Sequence, residues 1–315
     1  MYQLPLAPTQ TAHAPNDIEA ADFNARHWEF PESGPIRMGS EAHYRMFTSL
    51  LGATYNPYKP AVLNWPKLDP ETLRRVTSLP IWDIAVQTEI KAAARIYFYS
   101  HTVARNELRE ALVHMAGEEA RHKEVLARLV AAYDIPLKPE EFYAVPTDAE
   151  WAWLVTGFSE CVDSFFAYGL FEMAKRSGYF PPELVETFEP VIQEEGRHIL
   201  FFANWIAWYR ANLSWWRRIR FELKVWAVWV YLGYERIGIA KDVDGLEGGD
   251  ANFTMHGSAA ISEEMNLLQL LETCLQEDKK RMAGYDSRLC RPSTMRFLGR
   301  IGLAFLRLKK RITGR

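Results

Sequence analysis

Glu118-Glu119-Ala120-Arg121-His122 and Glu194-Glu195-Gly196-Arg197-His198 are two copies of one pattern, set 76 residues apart: two glutamates, a small residue, an arginine and a histidine. At average residue usage one copy turns up on the order of once per thousand chains of this length, so two copies in one chain are not background. Within each copy a glutamate and the histidine, Glu119/His122 and Glu195/His198, stand three positions apart. On an α-helix that spacing puts carboxylate and imidazole on one face, about a turn apart.

Both copies fall in helix-like stretches. From residue 81 the chain reads as long helices over 81–104, 106–133, 148–177 and 182–211. Pro136 and Pro139 separate the second from the third, and Gly178 with Pro181 and Pro182 ends the third and starts the fourth. Hardly any stretch alternates as a strand would. The expected fold is all-α, with residues 81–213 as a four-helix bundle. Residues 1–80, rich in proline and aromatics, read as a wrap of short helices and turns. Residues 214–315 read as additional helices: one capped by Ser214 and running to about 239, then, after a glycine-containing loop over 242–257, two more over 259–277 and 294–312. The three segments are expected to form one integrated domain.

A helix pair carrying two Glu/His sets needs carboxylates from the other two helices to complete a dinuclear metal site. Glu89 lies 30 residues before Glu119, and Glu160 lies 35 before Glu195. Near-equal gaps are what two antiparallel hairpins need to bring their ligands to one level. The expected ligands are Glu89, Glu119, His122, Glu160, Glu195 and His198, with Asp163 a rival to Glu160. Four carboxylates balance two divalent ions, and without metal they would be costly to bury ionised. Oxygen and nitrogen donors without thiolate point to iron or manganese rather than structural zinc.

These residues resemble the ferritin-like di-iron carboxylate proteins, over residues 81–213. That superfamily includes multicomponent monooxygenase hydroxylases, ribonucleotide reductase radical subunits, acyl-carrier-protein desaturases, rubrerythrins and p-aminobenzoate N-oxygenases. The resemblance implies that Glu118 and Glu194 hold the ligand histidines, with Arg121 and Arg197 supporting them; a ligand imidazole needs an acceptor on its other N–H. It also implies two iron ions cycling between Fe(II) and Fe(III), with manganese an alternative in one site. Leu126 stands where radical subunits carry a tyrosine, and Val191 where N-oxygenases carry a third histidine. Asp163 stands where rubrerythrins have an extra glutamate, and Ser164 where monooxygenases often have a hydroxyl. Both are candidates for proton handling. Small residues around the ligands (Ala92, Ala93, Ala116, Gly157, Ala167) with Phe171, Phe188 and Phe202 suggest an apolar cavity for an organic substrate.

The expected function is therefore O2-dependent oxidation of an organic substrate by hydroxylation, desaturation or N-oxygenation, the substrate being free, carrier-bound or lipid-like. The alternative is a ferroxidase, iron-storage or rubrerythrin-like peroxide-scavenging protein. No flavin, nicotinamide or four-cysteine iron–sulfur motif is present in the sequence, which implies an external donor such as a ferredoxin or reductase.

Composition limits the rest. The 315 residues include 48% hydrophobic and 24% charged residues, ordinary globular values. Three widely spaced cysteines make neither a disulfide framework nor a zinc knuckle, which fits a reducing cytoplasm. Neither a signal peptide nor a transmembrane span is expected. Residues 287–315 carry nine Lys/Arg and no acid, leaving 28 basic against 40 acidic residues elsewhere, a net −12. Leu298, Ile301, Phe305, Leu308 and Ile312 form a stripe on this basic tail, with Arg296, Arg300, Arg307 and Arg311 opposite. This suggests docking on the acidic body, a homodimer or partner contact, or a peripheral membrane contact. No nucleic-acid partner is expected. Six of the eleven tryptophans lie between Trp205 and Trp229, a concentration that helix packing accounts for, with an interfacial membrane belt as the alternative.

Overall fold

Capping side chains set the limits of the principal helices. Asp148 accepts from the Trp151 N–H at the start of the long helix that follows it, and Gly178, at φ 68°, closes that helix in the left-handed region. Pro182 opens the next helix, where its missing N–H costs nothing. Asp69 and Pro70 do the same for a short helix near the N-terminus.

In the computed structural model, residues 15–60, 65–79, 82–137, 139, 143–144, 147–242 and 267–313 are described. Their ten helices are α1 (Pro15–Arg26), α2 (Glu41–Ala53), α3 (Pro70–Thr77), α4 (Trp82–Ser100), α5 (Asn106–Ala132), α6 (Ala149–Ser177), α7 (Pro182–Asn212), α8 (Trp215–Asp242), α9 (Leu267–Arg281) and α10 (Thr294–Thr313). The fold is all-α; among the described residues the β-type pairing is an isolated bridge between Trp28 and Tyr285. The helix limits that fall in the described residues match the sequence expectation to within a few residues, and α9 runs on to Arg281. The expected loop over 242–257 and the residues 259–266 of the expected helix lie outside the described residues, apart from Asp242, the last residue of α8.

Helices α4 to α7 pack side by side as two antiparallel pairs. At one end Tyr99 of α4, Leu108 of α5, Trp153 of α6 and Trp205 of α7 share a large aromatic core. At the other end Trp82 of α4, Leu129 of α5 and Leu184 of α7 share a second core with Val76 of α3. Helix α5 therefore ends where α7 begins, and α6 begins where α5 began. The chain between α5 and α6 must run the length of the helices. Its 16 residues can extend about 50 Å, enough to return along the roughly 40 Å of α5. Tyr143, part-way along this stretch, accepts a 2.5 Å hydrogen bond from Arg95 on α4. This long crossover was not foreseen in the sequence reading, which placed only a break there.

The remaining segments clad this assembly. Helix α2 lies across α5 and α7 through Tyr44, Phe47, Leu50 and Leu51. Helix α9 covers the second half of α6, with Cys274 against Gly169, and α10 packs on α9 through Leu303. Helix α8 covers the first half of α6 through Phe221, Val225, Val228 and Leu232.

Candidate metal centre

Two helices carry the duplicated motif, α5 and α7, and they face each other across the interior. Each histidine is gripped not by its own helix but by the other copy's leading glutamate. His122 Nε2–H donates to Glu194 at 2.7 Å, and His198 Nε2–H donates to Glu118 at 2.7 Å. An ionised carboxylate only accepts, so Nε2 carries a proton, and each Nδ1 faces the interior, where a metal would take the place of any proton on it. Arg121 donates to Glu194 at 2.6 Å and Arg197 to Glu118 at 2.7 Å. Glu118, Glu194, Arg121 and Arg197 thus form a crossed, self-neutralising set, fully or nearly buried.

The arginines are in turn fixed from outside by the turn after α2. Arg197 donates to Thr54 Oγ1 at 3.0 Å, and Arg121 to the Asn56 carbonyl at 2.8 Å. Thr54 and Asn56 were missed in the sequence reading. The Asn56-Pro57 pair signals a turn, but nothing local says that the turn ends against two guanidinium groups.

Inside the crossed set, six side chains converge. Atoms of Glu89, Glu119, His122 and Glu195 lie within 4.8 Å of one another, as do atoms of Glu119, Glu160, Glu195 and His198. Glu119 and Glu195 belong to both groups. His122 Nδ1 lies 3.2 Å from Glu195 and 3.6 Å from Glu89; His198 Nδ1 lies 2.8 Å from Glu119. Both Nδ1 atoms, both Glu160 oxygens and Glu119 Oε1 are buried with no hydrogen-bond partner. Buried polar atoms left without partners are rare, and here five point to one place. Among the described residues no Lys or Arg forms an ion pair with Glu89, Glu119, Glu160 or Glu195. The donor set, four carboxylates and two imidazoles without a paired Lys or Arg among the described residues, fits two divalent cations that would displace its protons.

Electrostatics state the same need. Burial, then the charges of Glu195, Glu89 and Glu160, push the Glu119 carboxyl well above its ordinary range. Burial and the charges of Glu195 and Glu89 do the same to Glu160. Burial opposes protonation of His122, yet its contacts with Glu194, Glu195 and Glu89 raise it well above the usual imidazole value. Burial would also raise Glu118, but the charge of Arg197 and the hydrogen bond from His198 win and hold it far below the carboxylate range. The outer carboxylate stays ionised while the inner group keeps protons that cations would displace.

Access is one-sided. Glu89 and Glu195 are 19% and 15% exposed at the side chain, whereas the histidines and Glu118 are buried.

Three expectations are corrected. Asp163 is not among the converging side chains: it pairs with Arg236 of α8 at 3.0 Å and accepts from Ser159 at 2.9 Å. Asp163 shares a helical face with Glu160, but Arg236 and Ser159 engage its shorter carboxylate toward α8, at the edge of that face. Ser164, one turn beyond Glu160, is buried on the interior side of α6. The room expected beside Gly157 is taken by the Phe202 ring, which an added Cβ would meet at 2.2 Å. Phe188 packs on Trp82 at the far end instead. Finally, Trp215, Trp216 and Trp226 face outward rather than packing between helices.

No protein-family model, curated protein or solved structure matches the chain. Its chemistry is read from this geometry.

Proposed function

We propose that the chain is a ferritin-like four-helix-bundle protein that holds two iron ions between α4, α5, α6 and α7 and uses dioxygen to oxidise an organic substrate. One observation carries the proposal: six carboxylate and imidazole side chains converge as two groups sharing Glu119 and Glu195, with no Lys or Arg among the described residues paired to their carboxylates. The single long crossover between the two antiparallel pairs supports the ferritin-like part of the reading. When bound, the iron pair supplies the electrons and Lewis acidity for dioxygen reduction.

The chain's own residues prepare that chemistry. Glu118 and Glu194 fix the direction of His198 and His122, and the arginines hold those glutamates in place. Glu119 and Glu195 bridge the two groups. Glu89 and Glu195 form the accessible edge, where a substrate approaches. Ser164 is the hydroxyl we assign to proton delivery. Electrons come from an external donor of the ferredoxin or reductase class, and the compartment proposed is the cytoplasm. Manganese in one of the two positions suits the same donor set.

A ferroxidase or peroxide-scavenging role has one observation in its favour. Phe202 occupies the room beside Gly157, and a centre that handles only iron and oxygen species needs no substrate cavity. One experiment separates the readings. Metal-free protein is loaded anaerobically with Fe(II), mixed with O2, and followed by stopped-flow absorbance and iron analysis. About two irons per chain, with turnover that stalls until a reductant is added, is the expected result. Uptake of many more irons ending in a ferric mineral would establish the storage reading. Absence of stoichiometric binding would remove the basis of both.

A further inference from the structure

Helices α8 and α10 share a construction that the metal centre does not use. A surface helix buries one apolar stripe and turns a polar face to water. Helix α8 buries Phe221, Val225, Val228 and Leu232, yet its opposite face carries Trp216, Ile219, Leu223, Trp226, Val230 and Tyr234. These follow helical spacing, and Trp226 and Tyr234 are 70% and 78% exposed. Its charged residues, among them Arg217, Arg218 and Arg220, fall on the flanks between the two apolar faces.

Helix α10 repeats the arrangement. Leu303 faces inward, and Gly299 lies against the Phe165 ring, while Phe297, Ile301, Phe305, Leu308 and Ile312 face out. Arg296 pairs with Asp278 and Arg307 with Glu272 on the flank toward α9. Arg300 and Arg311 lie on the same flank, exposed, and no acid among the described residues pairs with them. The tail's basic side therefore meets acids of the body, and its apolar stripe is the side left outward.

The two outward faces lie on one side of the molecule. Helix α8 meets Phe158, Ser159 and Asp163 of α6, and α9 meets Phe166 and Gly169. By helical periodicity these residues occupy one face of α6, with Asp163 at its edge toward Glu160. Helices α8 and α9–α10 thus cover that face in succession. Two exposed apolar helix faces of this extent mark a binding site.

We propose that the outer faces of α8 and α10 form a platform that docks the protein on the surface of an anionic phospholipid bilayer. Tryptophan and tyrosine prefer the headgroup boundary, and flanking arginines reach anionic headgroups while the apolar face enters the acyl region. A second copy of the chain fits less well, because a two-fold interface through these faces would set the same arginine rows against each other. No helix among the described residues is long and apolar enough to cross a membrane, so the helices lie on the bilayer.

The test uses the full chain and sedimentation with phosphatidylcholine vesicles containing 30% phosphatidylglycerol, against pure phosphatidylcholine vesicles (roughly the charge range in which polybasic segments discriminate). The protein is expected to sediment with the anionic vesicles, less so at high salt. Trp226→Glu combined with Phe305→Glu is expected to lower partitioning at least about tenfold, with unchanged circular dichroism and metal stoichiometry. Phe23→Glu, an exposed apolar residue on α1, should leave it unchanged. Wild-type protein that stays in the supernatant overturns the proposal. So does a dimer, seen by light scattering, that the double variant splits while neither protein binds vesicles. Partitioning reads neither iron nor turnover, so the result stands apart from the proposal for the centre.

Discussion

Glu118 and His198 stand on different helices, and so do Glu194 and His122, so each outer carboxylate serves the half of the centre that belongs to the other helix. Glu118→Gln should therefore weaken the His198 group selectively. A Co(II) titration followed by visible absorbance is expected to separate into two phases, one shifted by about tenfold to a hundredfold. A uniform shift of both phases would contradict the crossed arrangement. A second residue outside the centre sets a pH dependence. His43 Nε2–H donates to Asn204 at 3.0 Å while Nδ1 accepts from the Gly39 N–H at 3.1 Å, so the folded protein needs this ring neutral. Burial lowers its pKa against the pull of Asn204. The unfolded chain then binds the proton more readily than the folded one. This contribution to stability is complete above the unfolded value of about 6.5 and is lost as pH falls through it toward the folded value. His43→Gln should flatten the decline in urea midpoint between about pH 7 and pH 5. Equal slopes in variant and wild type would acquit His43.

Among the elements, the contact of α6 with α9 depends on one close approach. A Cβ added at Gly169 would stand 2.3 Å from Cys274 Sγ and 3.0 Å from the Cys274 backbone nitrogen, which cannot yield without moving α9. Gly169→Ala is expected to cost about 1–3 kcal/mol, measured as a lowered denaturant midpoint at constant m-value. An unchanged midpoint would mean that α9 shifts freely on α6. Helix α7 holds Pro190 in its interior, one turn before Glu194, and still runs unbroken to Asn212. The packing of its faces against α2 and α6 outweighs the lost backbone hydrogen bond.

Across the whole molecule, the proposed metal centre would tie folding to metal through its four carboxylates. Cations that bind only the folded chain stabilise it by about 2.7 kcal/mol at a hundredfold excess over Kd. Chelator-treated protein should melt at a lower temperature, recover on addition of Fe(II) or Mn(II), and release protons as metal enters. A melting temperature indifferent to chelator and metal would argue against a dinuclear site at Glu119 and Glu195.

The all-α character, the helix limits and the six converging side chains were readable from the sequence because they follow from local rules. Proline, glycine and capping residues stop and start helices wherever the chain goes, and a Glu/His spacing of three declares its face once the helix forms. The near-equal gaps from Glu89 to Glu119 and from Glu160 to Glu195 work through the rise of the helix. What the sequence left undecided depends on which surfaces meet. Thr54 and Asn56 reach the arginines only because α2 lies across α5 and α7. The exchange of partners between Glu118 and Glu194 needs the two motif helices face to face. Asp163 was lost to the centre because α8 brought Arg236 beside it, and Phe202 took the space that Gly157 seemed to leave open. An apolar stripe read along a helix reveals its direction but not whether another helix will cover it; on α8 and α10 the described structure leaves it facing outward.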